Sequence, residues 1–347
     1  MNIYNSQTKT LQNQEAKMDN SVAKSLMSLL ELVYTPISNQ EAVWLQKDPD
    51  VKAMLRSSDF YMIGARAEGK FTDITTNSDT HVVRFNLSIG DHICDSVALH
   101  LQELPGIADH DFYYLETGPK LIRAWDGPVN KEGSKVLNWF TTEKLLFDKA
   151  HGMPGIEGLD CCRDLATYDL LYVGIAKTGD SFTRLIKNGH TARMNILSNE
   201  SQRHPGARVA DEIYLFMFRV NPLIIKTFGS DHEFSEEDFS EEPARKRIVA
   251  DAEKAFVNLL QPEYNVIKFD NYPDGVDGLS GTGYNRYAYQ INESIAFNTA
   301  HGKIKGSHNS KGFISNDADF IFVEGDKVSF YISGVDFPST PGGNVKE

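Results

Sequence analysis

Two segments of this chain are apolar on both faces, and they narrow its possible folds more than any other feature. Residues 168–176 read YDLLYVGIA and residues 212–220 read EIYLFMFRV. A strand with one wet face alternates apolar and polar side chains, so two-sided runs like these predict strands in the middle of a covered sheet. Residues 182–197, between them, have a helical pattern. Beyond them, 243–261 is a strong amphipathic helix with Ile248, Val249, Ala252, Ala255, Phe256, Leu259 and Leu260 as its apolar positions. Pro243 suits a first helical turn and Pro262 stops the helix. Strand, helix, strand, helix predicts a compact α/β unit over 152–267, a small mixed sheet flanked by helices.

The flanks read differently. Residues 1–20 are polar and expected to be a mobile tail. Residues 21–150 are expected to form an α+β domain. Helical periodicity is read at 21–33, 40–55, 91–104 and 141–150, and short β-branched or aromatic runs at 59–64, 81–88, 111–115 and 120–125 predict strands. The Gly- and Pro-rich stretch 151–160 reads as a boundary loop. The remainder, 268–347, is expected to be a small C-terminal extension, with a helix near 287–297 and a β-hairpin turning at Gly325-Asp326. The fold class expected is therefore α+β and α/β multidomain. No internal repeat is present.

Composition excludes several classes. Of 347 residues, 41% are hydrophobic and 24% charged, as in ordinary globular proteins. No run is long enough for a membrane span and the first residues lack a signal-peptide core, which predicts a cytoplasmic protein with no membrane partner. Cys94, Cys161 and Cys162 give neither a disulfide framework nor zinc-knuckle spacing. His81, His92, His100 and His110 show no ligand-like pairing. The net charge of -13 argues against coating nucleic acid through overall charge. That charge is uneven. Residues 170–228 hold eight basic side chains, Lys177, Arg184, Lys187, Arg193, Arg203, Arg208, Arg219 and Lys226, against four acids. The next stretch, 231–242, is an acidic loop with seven acids and no Lys or Arg.

Within the α/β unit, chemistry-bearing residues fall in a fixed order. Tyr172 precedes Val173-Gly174 at the end of the first strand. Arg184 and His190 follow in SFTRLIKNGH, and Glu253 and Asn265 in DAEKAFVNLLQPEYN. Glu253 shares a helix face with Val249, Phe256 and Leu260, where a carboxylate costs free energy unless a cation or donor meets it. This order resembles the GIY-YIG nuclease superfamily over about a third of the chain. The Tyr-Val-Gly matches its second signature, and the Glu-to-Asn stretch closely matches the family's E…P.YN ending. The first signature, Gly-Ile-Tyr, is missing. Gly155-Ile156-Glu157 lacks the tyrosine, and Tyr168 lies only four residues before Tyr172, which on a regular strand puts both on one face.

Phosphodiester hydrolysis needs an activated water, a counter-charge for the phosphoryl oxygens and help for the leaving oxygen. Arg is the side chain whose planar fork best matches phosphate, and a hard divalent cation on a carboxylate supplies the rest. The resemblance implies a metal-dependent endonuclease cutting DNA, with RNA left open as substrate, in restriction or phage defence. Glu253 would hold Mg²⁺ or Mn²⁺, Arg184 the scissile phosphate, and Tyr172 or Tyr168 would activate water once neighbouring positive charge lowers its pKa. His190 would assist or contact phosphate, Asn265 would orient the site, and Lys177, Lys187, Arg193 and Arg208 would bind the nucleic acid. The flanking domains would engage a partner protein or a second copy. A second reading keeps the fold as a binding module that has lost its base. A third has the acidic loop covering the basic cleft.

Overall fold

The computed structural model describes residues 22–160, 162–177, 179–187, 189–311 and 314–339. The expected 1–20 tail lies outside them. The chain enters on β1 (Ala23–Leu32) and a short β2 (Ile37–Ser38), then passes through α1 (Asn39–Leu45) and α2 (Pro49–Arg56) into β3 (Phe60–Ala65). Ser38 and Glu41 start α1 with a reciprocal capping box, each side chain satisfying the other's backbone N–H. Residues 66–166 then leave the main sheet. They form β4 (Gly69–Asn77), β5 (Val82–Ile89), β6 (His92–His100), β7 (Tyr114–Thr117), β8 (Ile122–Trp125), β9 (Val136–Phe140), α3 (Thr142–Ala150), β10 (Ile156–Glu157) and α4 (Cys162–Leu165). The chain returns on β11 (Thr167–Ile175). A π-helical turn at Thr183–Lys187, α5 (Thr191–Asn199) and α6 (Val209–Glu212) lead to the long β12 (Ile213–Thr227). Last come α7 (Arg245–Leu260), β13 (Tyr284–Ile291), β14 (Ala296–Thr299), β15 (Gly302–Lys305) and the hairpin β16 (Phe320–Glu324) and β17 (Lys327–Tyr331).

The architecture is mixed α and β. One large mixed sheet runs β15-β14-β11-β3-β12-β1-β13-β16-β17, with β2 attached to β12, and two smaller sheets run β10-β6-β5-β4 and β7-β8-β9. Strands from 21–150, 152–267 and 268–347 all enter the large sheet, so those three segments share one scaffold. β3 is antiparallel to both β11 and β12 and every one of its residues is buried. Its alternate side chains feed two cores. Phe60 and Met62 join Tyr168, Leu170, Phe216 and α7 on one face. Tyr61, Ile63 and Ala65 join Leu171, Leu215, Met217 and the region of α1, α2 and α5 on the other. Among the described residues no helix is long and apolar enough to cross a membrane.

Three expected helices are strands. Within 21–33 the described residues form β1, where Leu26 and Leu30 face one core and Met27 and Leu29 the other. A short run such as LMSLL satisfies both periods, and pairing with β12 and β13 decides for the strand. Residues 91–104 contain β6, folded back on β5 by a turn in which Ile89 pairs with His92 and Gly90 has φ +55°. Residues 287–297 hold the end of β13, a short turn and the start of β14, and β13 runs parallel to β1 and antiparallel to β16. The expected helix over 182–197 is broken. Gly189, at φ +66°, separates the π-helical turn from α5. The two central strands, the helix at 243–261 and the C-terminal hairpin are found as the sequence predicts.

Arg66, just past β3, joins the excursion to the main sheet. It donates to Glu143 on α3 at 2.5 Å and to the Leu165 carbonyl at 2.6 Å, and its guanidinium lies 4.6 Å from the Tyr168 ring centroid. Both partners of the ion pair are buried. Arg66→Ala leaves Glu143 buried without its cation and is expected to cost about 3–5 kcal/mol. The measurement is the urea midpoint, and an unchanged midpoint would show that the pair does not hold the excursion in place.

Candidate active site

Around the C-terminal end of β11, the folded chain assembles a tyrosine that sequence reasoning overlooked. Tyr61 on β3 stacks on Tyr172 with ring centroids 6.1 Å apart and planes inclined by 23°. The two strands are adjacent and antiparallel, with Tyr61 paired to Gly174. The Tyr61 hydroxyl accepts from Arg184 Nε at 3.0 Å and meets His190 Nε2 at 3.1 Å. Arg184 can only donate, so the Tyr61 oxygen is the acceptor in that bond. The His190 ring also packs edge-on against Tyr172 at 5.2 Å. Gly174 is required for close approach. A Cβ there would lie 2.7 Å from both the Tyr61 hydroxyl and Tyr172 Cε1.

Local structure holds each group. Asp180 accepts from the Thr183 N–H at 2.7 Å and from its hydroxyl at 3.0 Å, starting the π-helical turn that presents Arg184. Such turns are concentrated at functional sites. His190 follows Gly189 at the N-cap of α5. Asn265 is buried and makes a two-point contact with Val173, accepting from its N–H at 2.9 Å and donating to its carbonyl at 2.8 Å. This pins the turn after α7 to β11 beside Tyr172. Glu253 reaches the backbone N–H of Ile175 from α7.

Electrostatics follow from partial burial. Burial pushes the Glu253 carboxyl up to about 7, against the pull of Lys177 and Arg184. Burial, then the charges of Arg184 and Arg193, push His190 down to about 4, so the imidazole is neutral at pH 7. Burial raises the phenol of Tyr61, and Tyr172 adds to it while Arg184 opposes. Tyr172 is likewise raised by burial and Glu253. The expected lowering of a tyrosine pKa by neighbouring cations is absent, because desolvation outweighs them. Burial opposes the Arg184 charge, but Tyr61, Tyr172 and Glu253 outweigh it and raise its pKa.

Other expected site residues are elsewhere. Tyr168 is buried on the opposite face, packed on Tyr214 and Phe216 and under Arg66. The register of β11 shifts between Leu170 and Tyr172, a bulge that breaks the two-residue alternation and puts Tyr172 across the sheet from Tyr168. Arg193 is buried, donating to Asn39 at 2.6 Å and the Leu185 carbonyl at 2.9 Å, so it holds α5 in place and cannot bind nucleic acid. Arg208 is taken up by Asp211 through bonds of 2.9–3.2 Å. Lys177 and Lys187 are exposed with Arg184. The acidic loop does not lie over them. Its Glu241 pairs with Lys24 at 2.9 Å and Lys226 at 3.0 Å, at the far ends of β1 and β12.

Tyr61 left no local sequence signal, since it lies over a hundred residues before Tyr172. The one available clue was β3 itself, an apolar run ending in Gly64 like a second copy of the β11 pattern. No protein-family model, curated protein or solved structure matches the chain.

A raised carboxyl pKa means the folded chain holds its proton more tightly than the unfolded chain, so stability falls as pH rises through about 4.5 to 7. Glu253→Gln removes that penalty. It is expected to be more stable than wild type by about 1–3 kcal/mol near pH 8 and equal to it near pH 4. Urea unfolding at the two pH values checks this, and an equal gain at both would mean burial of the charge is not the cause.

Proposed function

We propose that the chain is a metal-dependent endonuclease of GIY-YIG type that hydrolyses DNA phosphodiester bonds, with its first signature tyrosine, Tyr61, separated from the second by the 66–166 excursion. The observation that carries this reading is the Tyr61–Tyr172–Arg184–His190 cluster, with Glu253 opposite. The missing first tyrosine was the main support for a binding-only module, and Tyr61 favours catalysis over it.

The donor set fits a hard cation. Mg²⁺ keeps several waters and takes one or two protein carboxylates, and Glu253 offers a half-buried carboxyl facing the cluster. When bound, the ion supplies charge for the phosphoryl and leaving oxygens. The side chains do the rest. Arg184 is exposed, so its free guanidinium nitrogens can grip a phosphate while Nε stays on Tyr61. Tyr61 is fully buried and stays protonated, so its hydroxyl positions Arg184 and His190, and the half-buried Tyr172 is the tyrosine left to meet the attacking water. The approaching phosphate charge raises the basicity of His190, opposing the effect of Arg184 and Arg193. Gly174 and Asn265 keep the two tyrosines in register, and Lys177 and Lys187 extend the positive surface.

Purified protein is incubated with plasmid, linear DNA and RNA in Mg²⁺ or Mn²⁺. Arg184→Ala is expected to lower the cleavage rate by about 10²–10³-fold, and Tyr172→Phe by about 10²–10⁴-fold. Glu253→Ala abolishes it, while Tyr168→Phe keeps near wild-type rates. Cleavage unaffected by Tyr172→Phe would remove its role at the water, and cleavage unaffected by Arg184→Ala and Glu253→Ala would remove the proposed site altogether.

A further inference from the structure

His151, Glu293 and His308 come together from three separate parts of the chain, with one potential ligand atom of each lying within 4.8 Å of the others. His151 caps α3 at the end of the excursion, Glu293 sits between β13 and β14, and His308 follows β15. The cluster neighbours the cavity lined by Tyr168 and Glu293, so it lies on the face of the sheet away from Tyr172.

Its details are those of a ligand set. His151 Nδ1 lies 2.8 Å from the Phe147 carbonyl, a bond in which the ring N–H donates. That fixes the tautomer and leaves the Nε2 lone pair directed inward, the outer-shell arrangement typical of metal-bound histidines. Nε2 is 3.3 Å from Glu293 Oε2. Two donors on one tetrahedral Zn²⁺, each at about 2.0–2.1 Å, are themselves about 3.3–3.4 Å apart. Glu293 is only 3% exposed, and its other oxygen accepts from the Leu32 N–H at 2.8 Å, which orients the carboxyl. The His308 ring lies 3.9 Å from that of His151. Its Nδ1 is buried with no hydrogen-bond partner among the described residues. A buried imidazole nitrogen without a partner is costly unless something fills the gap. The 308 loop is also held in place, since the backbone N–H groups of His308 and Asn309 donate to Ser294 at 3.2 Å and Asn292 at 3.1 Å. Burial, followed by proximity to Glu31, pushes the Glu293 carboxyl up to about 8. Burial lowers the pKa of His151, with His308 acting the same way.

From this geometry we propose a second metal site, independent of Glu253, in which His151, His308 and Glu293 bind one Zn²⁺ or similar first-row divalent cation. Two imidazoles and a carboxylate are the ligand chemistry of such ions rather than of Mg²⁺ or Ca²⁺, and three protein ligands leave a fourth position open. The ion would clasp the end of the 66–166 excursion to the C-terminal strands.

The test uses the full chain carrying Glu253→Ala, so that the proposed nuclease carboxylate contributes nothing and failure of one reading leaves the other standing. Chelator-stripped protein is titrated with Zn²⁺ against a chromophoric competitor, and separately with Co²⁺, whose absorption is intense when four-coordinate. One equivalent of Zn²⁺ and a raised Tm are expected. His308→Ala and Glu293→Gln should each weaken binding by more than the ~10–100-fold typical of losing an outer partner, and His308→Ala should abolish the Co²⁺ spectrum. His308 is only half-buried on a loop, so its variant should keep the metal-free Tm and decides the matter should Glu293→Gln fail to fold. Absence of stoichiometric uptake, or uptake unchanged by His308→Ala, would overturn the site.

Discussion

Pairing of β3 with β11 on one edge and β12 on the other is the constraint on which the rest of the molecule depends. All six residues of Phe60–Ala65 are buried and hydrogen-bonded into neighbours on both sides. Without β3 the sheet divides between β11 and β12, the two cores lose Phe60, Met62 and Ile63, and the candidate site loses Tyr61. The 66–166 excursion is compatible with this because its ends meet in the sheet, where Ala65 pairs with Asp169. Loop-closure cost grows only logarithmically with length, so a long excursion burdens the pairing little more than a short one. Arg66 and Glu143 then tie the base of that excursion to the sheet it leaves.

The candidate site gathers titratable groups whose protonation is shifted by burial. Glu253 is raised to about 7 and His190 is lowered to about 4, in each case chiefly by desolvation. Both phenols stay protonated for the same reason. Desolvated titratable groups beside one exposed arginine are costly for stability, and a charge placed next to them would shift their equilibria together. Surrounding it are groups that only position: Asp180 under the π-helical turn, Gly174 between the tyrosines and Asn265 on the Val173 backbone. The fixed scaffold and the adjustable charges are thus separate sets of residues.

Some of this was legible in the chain and some was not. The strands at 168–176 and 212–220 and the helix at 243–261 were readable because their burial is nearly complete and their patterns long. Residues 21–33 were misread, since LMSLL fits a helical stripe as well as two strand faces, and only pairing with β12 and β13 decides. Residues 91–104 were misread because the tight turn at Gly90-Asp91 outweighs a locally helical spacing. Tyr168 was misassigned because a regular strand would put it with Tyr172, and a bulge is not visible in composition. Arg193 counted as surface charge until its partners Asn39 and Leu185 were known. The His151–Glu293–His308 cluster carried no spacing signal, as its members lie on three elements far apart in the chain.

By itself the sequence determined the local chemistry: which runs must be buried on both faces, where proline and glycine stop the chain, and the order Tyr172, Arg184, His190, Glu253, Asn265. Those are properties of neighbours, set by side-chain period and backbone preference within a few residues. Tertiary structure alone decided which tyrosine completes the cluster, which face Tyr168 takes, and which cations stay exposed. Each depends on strand register and on partners far away in the chain, and register is set by the packing of the whole sheet rather than by any one of its strands.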